Sequence, residues 1–309
     1  PTETVYGLGA DALNAEAAAK IYAAKGRPSD NPLIVHIHDI SQVYEIAEEV
    51  PDEAKAVMEK FWPGPLTIIL NKKSCVPDGT TGGLHTVAIR MPSHPIARDF
   101  IRESGRMIAA PSANTSGRPS PTLASHVYED MQGRIPLILD GGESNVGVES
   151  TVVAVTGEHP MLLRPGYVTK EQMEAVLGEE VLVSPAILEK LRDGEVARSP
   201  GMKYKHYAPQ GEVTVFRGER AVENIIARYD AAEDALILAL EGDLPRFGAR
   251  RCLSLGPDAA SMAARLFHAL READHMGAKV ILCEAVEPVG VGLAVMNRLL
   301  RAAAFRVVG

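Results

Sequence analysis

The sequence has few residues that form disulfides or bind zinc. Its 309 residues include three cysteines, Cys75, Cys252 and Cys283, and none of them belongs to a Cys-x-x-Cys pair. An odd number of widely separated cysteines argues against a disulfide framework and against a cysteine zinc site. This composition fits a reducing compartment, and we predict a cytoplasmic protein.

Long apolar runs and an excess of positive charge are also missing. No run approaches the ~20 apolar residues of a membrane-spanning helix, so we predict that the protein does not contact a membrane. The formal net charge is −8, from 32 basic and 40 acidic residues, and aromatic residues make up 5% of the chain. An acidic chain with few aromatics is not expected to coat nucleic acid, although this total charge allows a local basic cleft.

Common catalytic and nucleotide-binding motifs are absent from the sequence. It has no P-loop, and Gly290-Val-Gly292 is too short for a dinucleotide-binding fingerprint. No Ser-His-Asp or Cys-His arrangement is evident, so the residues do not point to covalent catalysis.

The length and composition predict two globular domains. We place a mixed α/β domain at 1–178, a connecting segment at 179–211 and a smaller domain at 212–309. In the smaller domain, helices at 219–230, 258–276 and 293–304 alternate with strands near 213–216, 235–240, 252–255 and 280–285, which is typical of a parallel sheet. The chain begins at Pro1 without a methionine, and we expect an upstream strand and helix to precede it.

The first domain is predicted to be rich in loops. We expect helices over 12–25, ended by Gly26, over 41–60, broken by Pro51, and over 95–103. Ser41 and Asp52 are candidate N-caps of the two parts of the second helix. Strands are predicted at 32–37, 66–70, 86–90, 135–140, 150–155 and 161–164, with a further one ending at Ala109.

Two polar loops suggest a site for a polyanion. The stretch from Ala110 to Thr122 combines hydroxyl and amide donors with an arginine and three prolines, which make it stiff. In the stretch from Lys25 to Leu33, the positive charges of Lys25 and Arg27 flank Gly26. An arginine guanidinium can donate two parallel hydrogen bonds to two phosphate oxygens. An ordinary polar turn and a basic helix C-cap are the respective alternatives.

The segment 199–211 differs in composition from the residues on both sides. Two tyrosines, two lysines and a histidine occupy five successive positions, 203–207. These side chains are suited to contact an anion or an aromatic base, but a solvated tether is an equal alternative.

Six motifs in this order resemble the YrdC-like threonylcarbamoyl-AMP synthases: PTETVYGLGADA, KGRPSDNPL, WPGPLT, APSANTSGRPSPT, ESTVV and LRPG. The linker SPGMKYKHYAP and the residues after it resemble the longer branch of that family. The resemblance implies an α/β fold, with a YrdC-like twisted mixed-sheet domain followed by a smaller Rossmann-like parallel α/β domain. Hydrogenase-maturation carbamoyltransferases share the first domain, but their acylphosphatase and zinc-finger modules are not seen here.

The resemblance also implies a reaction. L-threonine, bicarbonate or CO2, and ATP would give threonylcarbamoyl-adenylate and pyrophosphate, and the product would serve N6-threonylcarbamoyladenosine modification of tRNA by a downstream transferase. Such chemistry requires alignment of substrates and neutralisation of phosphate charge rather than a nucleophile. Mg²⁺ is the expected cofactor, held mainly through the ATP phosphates.

The resemblance assigns two sets of site residues, with Lys25 and Arg27 as the catalytic pair. It places ATP on Lys25, Arg27, Asn31, Thr86, Ser112, Asn114, Ser120, Arg164, Tyr204 and His206. It places threonine on Thr4, His36, Arg90, the backbone at Ala110, and Ser150. The linker side chains Tyr204, His206 and Tyr207 are candidates for a lid that excludes water.

Two other functions fit the same residues less well. A double-stranded RNA or tRNA-binding module would use the same lysines and arginines to hold phosphates. A carbamoyl transferase acting on carbamoyl phosphate is the third candidate.

Overall fold

The computed structural model describes residues 1–187 and 206–309, and Tyr204 lies outside these ranges. The described residues form two sheets that follow one another along the chain, the first mixed and the second parallel. The predicted α/β fold class is confirmed.

The first part of the chain folds into an eight-stranded mixed sheet. Its strands are β1 Ala10–Asp11, β2 Ile34–His36, β3 Leu66–Asn71, β4 Thr86–Arg90, β5 Ile108–Ala110, β6 Thr151–Ala154, β7 Met161–Arg164 and β8 Leu182–Val183. The spatial order is β1-β5-β2-β4-β3-β6-β7-β8. The pairs β2–β4, β3–β6 and β7–β8 are parallel and the others antiparallel.

The first sheet is accompanied by α-helices of four to eleven residues. They are α1 Ala15–Lys25, α2 Val43–Ile46, α3 Asp52–Phe61, α4 Asp78–Thr81, α5 Pro95–Ser104, α6 Ala124–Met131 and α7 Lys170–Leu177. The side chain of Asn14 accepts from two backbone N–H groups of the first turn of α1, which is why α1 begins three residues later than predicted. Gly26, in the left-handed conformation, ends it as expected.

Three predictions for this part are wrong. Asp39, not Ser41, is an N-cap: its carboxylate accepts from the Ser41 backbone N–H at 2.8 Å and opens a 3-10 turn over Ile40–Gln42. Asp52 is the first residue of α3, and Pro51 before it occupies the N-cap position. The segment 135–140 belongs to no sheet, since Pro136 lacks a backbone donor and Leu137 is 65% exposed.

The second part of the chain is a five-stranded sheet whose strands are all parallel. They are β9 Glu212–Phe216, β10 Ala235–Ala239, β11 Cys252–Ser254, β12 Val280–Glu284 and β13 Val307–Val308, in the order β11-β10-β12-β9-β13. The helices are α8 Ala221–Asp230, α9 Ala259–His275 and α10 Val291–Ala302. The predicted alternation and the predicted parallel sheet are confirmed.

The two parts of the chain share buried apolar contacts. Val5, Val146 and Val148 belong to the first part of the sequence, yet they pack in the same apolar cluster as the side chains of α9 and α10. Gly147 lies between two of these valines at φ +75°, and a Cβ there would approach backbone atoms of Ala264 to 2.4 Å. A hydrogen at position 147 therefore lets α9 contact the first part closely.

Two stacked histidines, the buried His126 and the half-buried His268, also join α6 and α9. The Nδ1 atom of His126 accepts from the Thr122 backbone N–H at 3.2 Å, and its Nε2 lies 3.3 Å from Nδ1 of His268. Burial, then the charges of Arg271 and nearby histidines, lowers the pKa of His126 to about 3. His126 is therefore neutral at neutral pH.

The buried, neutral His126 is expected to make stability fall in mild acid. The unfolded chain takes up a proton at His126 below pH ~6.5 and the folded chain does not, so the free energy of unfolding falls as pH decreases, by at most ~1.4 kcal/mol per pH unit. His126→Asn keeps an acceptor for the Thr122 N–H and should reduce this slope between about pH 5 and 6.5 in urea titrations. The exposed His85→Asn is the control, and an unchanged slope in His126→Asn would contradict the assignment.

Candidate active site

A cleft of about 610 Å³, including the solvent at its mouth, lies where the ends of several strands of the first sheet meet the polar loops. Its walls come from the first part of the sequence and from two residues at the end of the connecting segment. They are formed by Thr2, Thr4, Val5, Gly7, Arg27, Ile34, His36, Arg90, Ala110, Pro111, Ser112, Asn114, Ser120, Glu149, Ser150, Arg164, His206 and Tyr207.

Backbone pairing brings the amino-terminal motif against the loop after β5. The Leu8 N–H donates to the Pro111 carbonyl at 2.9 Å, and the Ala113 N–H donates to the Tyr6 carbonyl at 2.8 Å. Gly7 lies between these bonds, where a Cβ would be 3.3 Å from the Ala110 Cβ. The close approach places the first threonines of the chain beside the donors of the 110–122 loop.

Arg90, at the end of β4, is held by that amino-terminal motif. Its guanidinium pairs with the Glu3 carboxylate at 2.7 Å and donates to Thr4 Oγ1 at 2.8 Å and to the Gly64 carbonyl at 3.3 Å. Burial favours the neutral acid at Glu3, but Arg90 outweighs it and lowers the pKa of that carboxyl. The pair fixes one cation at the wall of the cleft.

Arg164, at the end of β7, supports another part of the wall. It donates to the Ser150 carbonyl at 3.0 Å and to Ser150 Oγ at 3.1 Å, and Ser150 Oγ lies 2.8 Å from Thr67 Oγ1. The neighbouring Glu149 accepts from Ser120 Oγ at 2.5 Å. Burial lowers the pKa of Arg164 to about 10, which leaves its guanidinium charged at neutral pH.

Lys25 and Arg27 take different positions at the end of α1. The Lys25 ammonium is buried and donates to the carbonyls of Ser112 and Asn114, the latter at 2.6 Å. Burial, then the charge of Arg27, lowers its pKa. Lys25 therefore fastens the 110–122 loop to α1 from behind, whereas Arg27 lines the cleft and donates to the carbonyls of Asn31 and Pro32 at 3.2 Å.

Two neutral histidines line the cleft. Burial, then the charge of Arg90, lowers the pKa of His36 to about 3, and its Nδ1 lies 3.0 Å from the Ile34 carbonyl. Burial, then the charge of Arg27, lowers the pKa of His206 to about 3 as well. Within the described ranges, His206 Nε2 is buried without a hydrogen-bond partner.

Most of the predicted site residues thus come together, but not all. Asn31 is fully buried behind the cleft wall, and its amide atoms have no hydrogen-bond partner in the part of the chain described. Thr86 lies at the start of β4, opposite Asn71, away from the cleft. Lys25 stands behind the loop, and Tyr204 is outside the described residues.

The cleft has the charge of an anion site and no assembled nucleophile. Three guanidiniums, of Arg27, Arg90 and Arg164, belong to its walls. The serine hydroxyls of the cleft form hydrogen bonds with groups other than histidine. Among residues 1–187 and 206–309, no cluster of three or more His, Cys, Asp or Glu could hold a metal ion. Such a site is suited to bind and align phosphates.

Two family models match the chain almost from end to end. One, Sua5/YciO/YrdC, described as "Telomere recombination", matches residues 1–166. The other, described as "Threonylcarbamoyl-AMP synthase, C-terminal domain", matches residues 168–304. The chain belongs to the Sua5/YciO/YrdC family. The predicted resemblance, including its two-domain branch, is confirmed.

Curated relatives extend this result over the full chain. Threonylcarbamoyl-AMP synthases of Pyrococcus abyssi and Bacillus subtilis are each 49% identical to all of this chain, which covers 90% and 89% of them. The one from Schizosaccharomyces pombe is 40% identical over 98% of the chain, which covers 84% of it. This member of the Sua5/YciO/YrdC family is therefore an adenylyl-transferring enzyme.

A solved relative has the same fold throughout. The structure of P. abyssi Sua5 complexed with L-threonine superposes with a TM-score of 0.93 at 48% identity, covering 100% of this chain and 90% of that one. A doubly substituted variant of that protein gives the same TM-score. Within the described ranges, no helix is both long and apolar enough to span a membrane.

The sequence reasoning missed two carboxylates of the site. Glu3 and Glu149 are both buried, one paired with Arg90 and the other with Ser120 and Arg298. Each stands inside a motif that was used for the prediction. Neither carboxylate is distinguished by its neighbours in the sequence, because Glu3 stands between two threonines and Glu149 between Val148 and Ser150.

Proposed function

We propose that the protein is an L-threonylcarbamoyladenylate synthase that uses L-threonine, bicarbonate or CO2, and ATP, and releases pyrophosphate. The product then serves the N6-threonylcarbamoyladenosine modification of tRNA. The observation that carries this proposal is the grouping of Arg27, Arg90 and Arg164 around a cleft without an assembled nucleophile. The threonine complex of the P. abyssi relative supports the choice of amino acid.

The reaction then needs alignment rather than covalent catalysis. The threonine amine attacks CO2 and loses a proton, which gives a carbamate; from bicarbonate the same step releases water. A carbamate oxygen attacks the α-phosphorus of ATP, and the bond between that phosphorus and the bridging oxygen breaks. Pyrophosphate leaves with the electron pair. The negative charge that grows on the phosphates is the charge that fixed guanidiniums stabilise.

On the nucleotide side we assign Arg27, Arg164, Ser112, Asn114, Ser120 and His206, with Tyr204 from the connecting segment. Arg27 provides the charge that faces the phosphates. Lys25 supports it by holding the 110–122 loop through the carbonyls of Ser112 and Asn114. The assignments of Asn31 and Thr86 rest on the resemblance, since neither lines the cleft.

On the threonine side we assign Thr4, His36, Arg90, the backbone of Ala110, and Ser150. Arg90 is already paired with Glu3, so a substrate carboxylate would add to an existing ion pair rather than meet a lone cation. His36 is neutral, which suits a hydrogen bond to the threonine hydroxyl.

Mg²⁺ is proposed to enter with the nucleotide. The carboxylate at the cleft wall, Glu149, already accepts from Ser120 through one oxygen and from Arg298 through the other. That donor set fits an ion held by phosphate and water oxygens rather than by a protein cage. When bound, the ion would shield the phosphate charges.

His206 and Tyr207 are proposed to belong to a lid. Both line the cleft, and their rings lie 5.5 Å apart. The unpartnered Nε2 of His206 is then available to the nucleotide. A closed lid would protect the adenylate from water until a tRNA threonylcarbamoyl transferase accepts it.

The proposal is tested by measuring pyrophosphate release together with incorporation of labelled bicarbonate into a nucleotide product. We expect both signals to require ATP, threonine and bicarbonate at once, and chelation of Mg²⁺ to reduce them. Serine in place of threonine is the matched substrate control. Salt-sensitive binding of tRNA without turnover would instead support the RNA-binding module, and turnover of carbamoyl phosphate would support the carbamoyl transferase.

A further inference from the structure

Arg298 is a buried arginine of α10 that reaches the cleft wall from the second sheet. Its side chain has no exposed surface, and the partner in its ion pair, Glu149, belongs to the first part of the sequence. Nε donates to Glu149 Oε2 at 3.1 Å, and Nη2 donates to the Glu149 carbonyl at 3.3 Å. Nη1 donates to the Pro165 carbonyl at 2.6 Å and to Asn297 Oδ1 at 3.2 Å.

The partner carboxylate is itself a wall of the cleft. Glu149 Oε1 accepts from Ser120 Oγ, so one carboxylate joins the arginine of α10 to a hydroxyl that faces the substrate space. Burial opposes the charged form, but Arg298 and then Arg164 outweigh it and lower the pKa of this carboxyl. The chain of contacts is continuous from α10 to the cleft.

The same guanidinium also joins two segments that carry site residues. One is Glu149-Ser150, and the other is Arg164-Pro165. Arg164 donates to the Ser150 carbonyl, so the planar fork of Arg298 fixes the spacing of two segments that already bond to each other. A lysine, with one ammonium, keeps the charge but cannot reproduce that spacing.

We propose that Arg298 is a positioning residue for the nucleotide side of the cleft, acting through Glu149 on Ser120 and through Pro165 on Arg164. The second part of the chain thereby contributes a side chain to an active site whose substrate contacts lie mainly in the first part. This inference rests on the proposed function for its kinetic readout.

The test compares Arg298→Met, Arg298→Lys and Leu299→Ala in the full chain. We expect Arg298→Met to lower kcat/KM for ATP about 10- to 100-fold, mainly through KM, because the displaced groups belong to substrate alignment. Arg298→Lys should recover part of this loss. Leu299 is buried on the same helix and outside the cleft, so Leu299→Ala should lower the thermal midpoint while both kinetic constants stay near wild type.

Equal kinetic losses in Arg298→Met and Leu299→Ala at matched stability would overturn the inference, and so would wild-type KM in Arg298→Met. If Arg298→Met is insoluble, Arg298→Lys carries the same comparison. An inactive wild type would count against the proposed function alone. In that case a crystal structure of Arg298→Met decides, because an undisturbed Glu149–Ser120 bond in that variant would refute the positioning role.

Discussion

Replacing Arg27 with alanine is expected to lower the rate of pyrophosphate release by about 100- to 1,000-fold, which is the usual cost of losing one preorganised charge donor. Arg27 lines the cleft at the end of α1, and its guanidinium is positioned by the carbonyls of Asn31 and Pro32. Steady-state pyrophosphate assays with saturating threonine and bicarbonate measure the effect.

Two further variants make this result specific. Arg27→Lys keeps the charge but loses the paired hydrogen-bond donors of the planar guanidinium, so an intermediate rate is expected. Arg106→Ala removes an exposed arginine that pairs with Asp11 at 3.7 Å, and its rate should match that of the wild type. Far-ultraviolet circular dichroism should show an unchanged fold in all three proteins. Wild-type turnover in Arg27→Ala would remove Arg27 from the proposed mechanism.

Replacing Asp130 with alanine is expected to lower the free energy of unfolding by about 3 to 5 kcal/mol, because it leaves a buried arginine without its main counter-charge. Asp130 on α6 accepts from Arg271 of α9 at 2.9 and 3.2 Å, and the side chains of both are fully buried. It also accepts from the Thr115 backbone N–H at 2.9 Å and pairs with Arg118. Urea unfolding measures the loss.

Asp230→Ala provides the matched control for this prediction. Asp230 forms an even shorter ion pair with Arg250, at 2.6 Å, but at the protein surface. Exposed pairs contribute little, so the control should lose far less stability than Asp130→Ala. Equal losses in the two variants would contradict the role assigned to burial.

Local signals in the sequence account for much of the fold. Glycine after a basic helix end predicted the end of α1 at Gly26, and a run of alternating β-formers predicted β4 at its observed bounds. The segment 135–140 has the same apolar character, but it forms no strand. A strand requires a partner as well as a pattern, and a sequence read locally does not reveal whether a neighbouring edge is free.

Residues of the cleft could be predicted where the functional side chain stands inside a recognisable motif, as Arg27 and Arg164 do. The positions of Lys25, Arg271 and Arg298 could not be predicted. A lysine at a helix end and arginines in amphipathic helices usually face solvent, and nothing within a few residues of them distinguishes a buried one. Their burial results from the packing of distant segments, which is decided by the whole fold.

The valines at positions 5, 146 and 148 have a consequence for experiments with shortened chains. They pack among the apolar side chains of α9 and α10, so cutting the chain before Glu212 would expose them to water together. A fragment of this kind is prone to self-association. Lost turnover in it would then reflect aggregation, and single substitutions in the intact polypeptide are the sounder way to ask what its carboxyl-terminal third contributes.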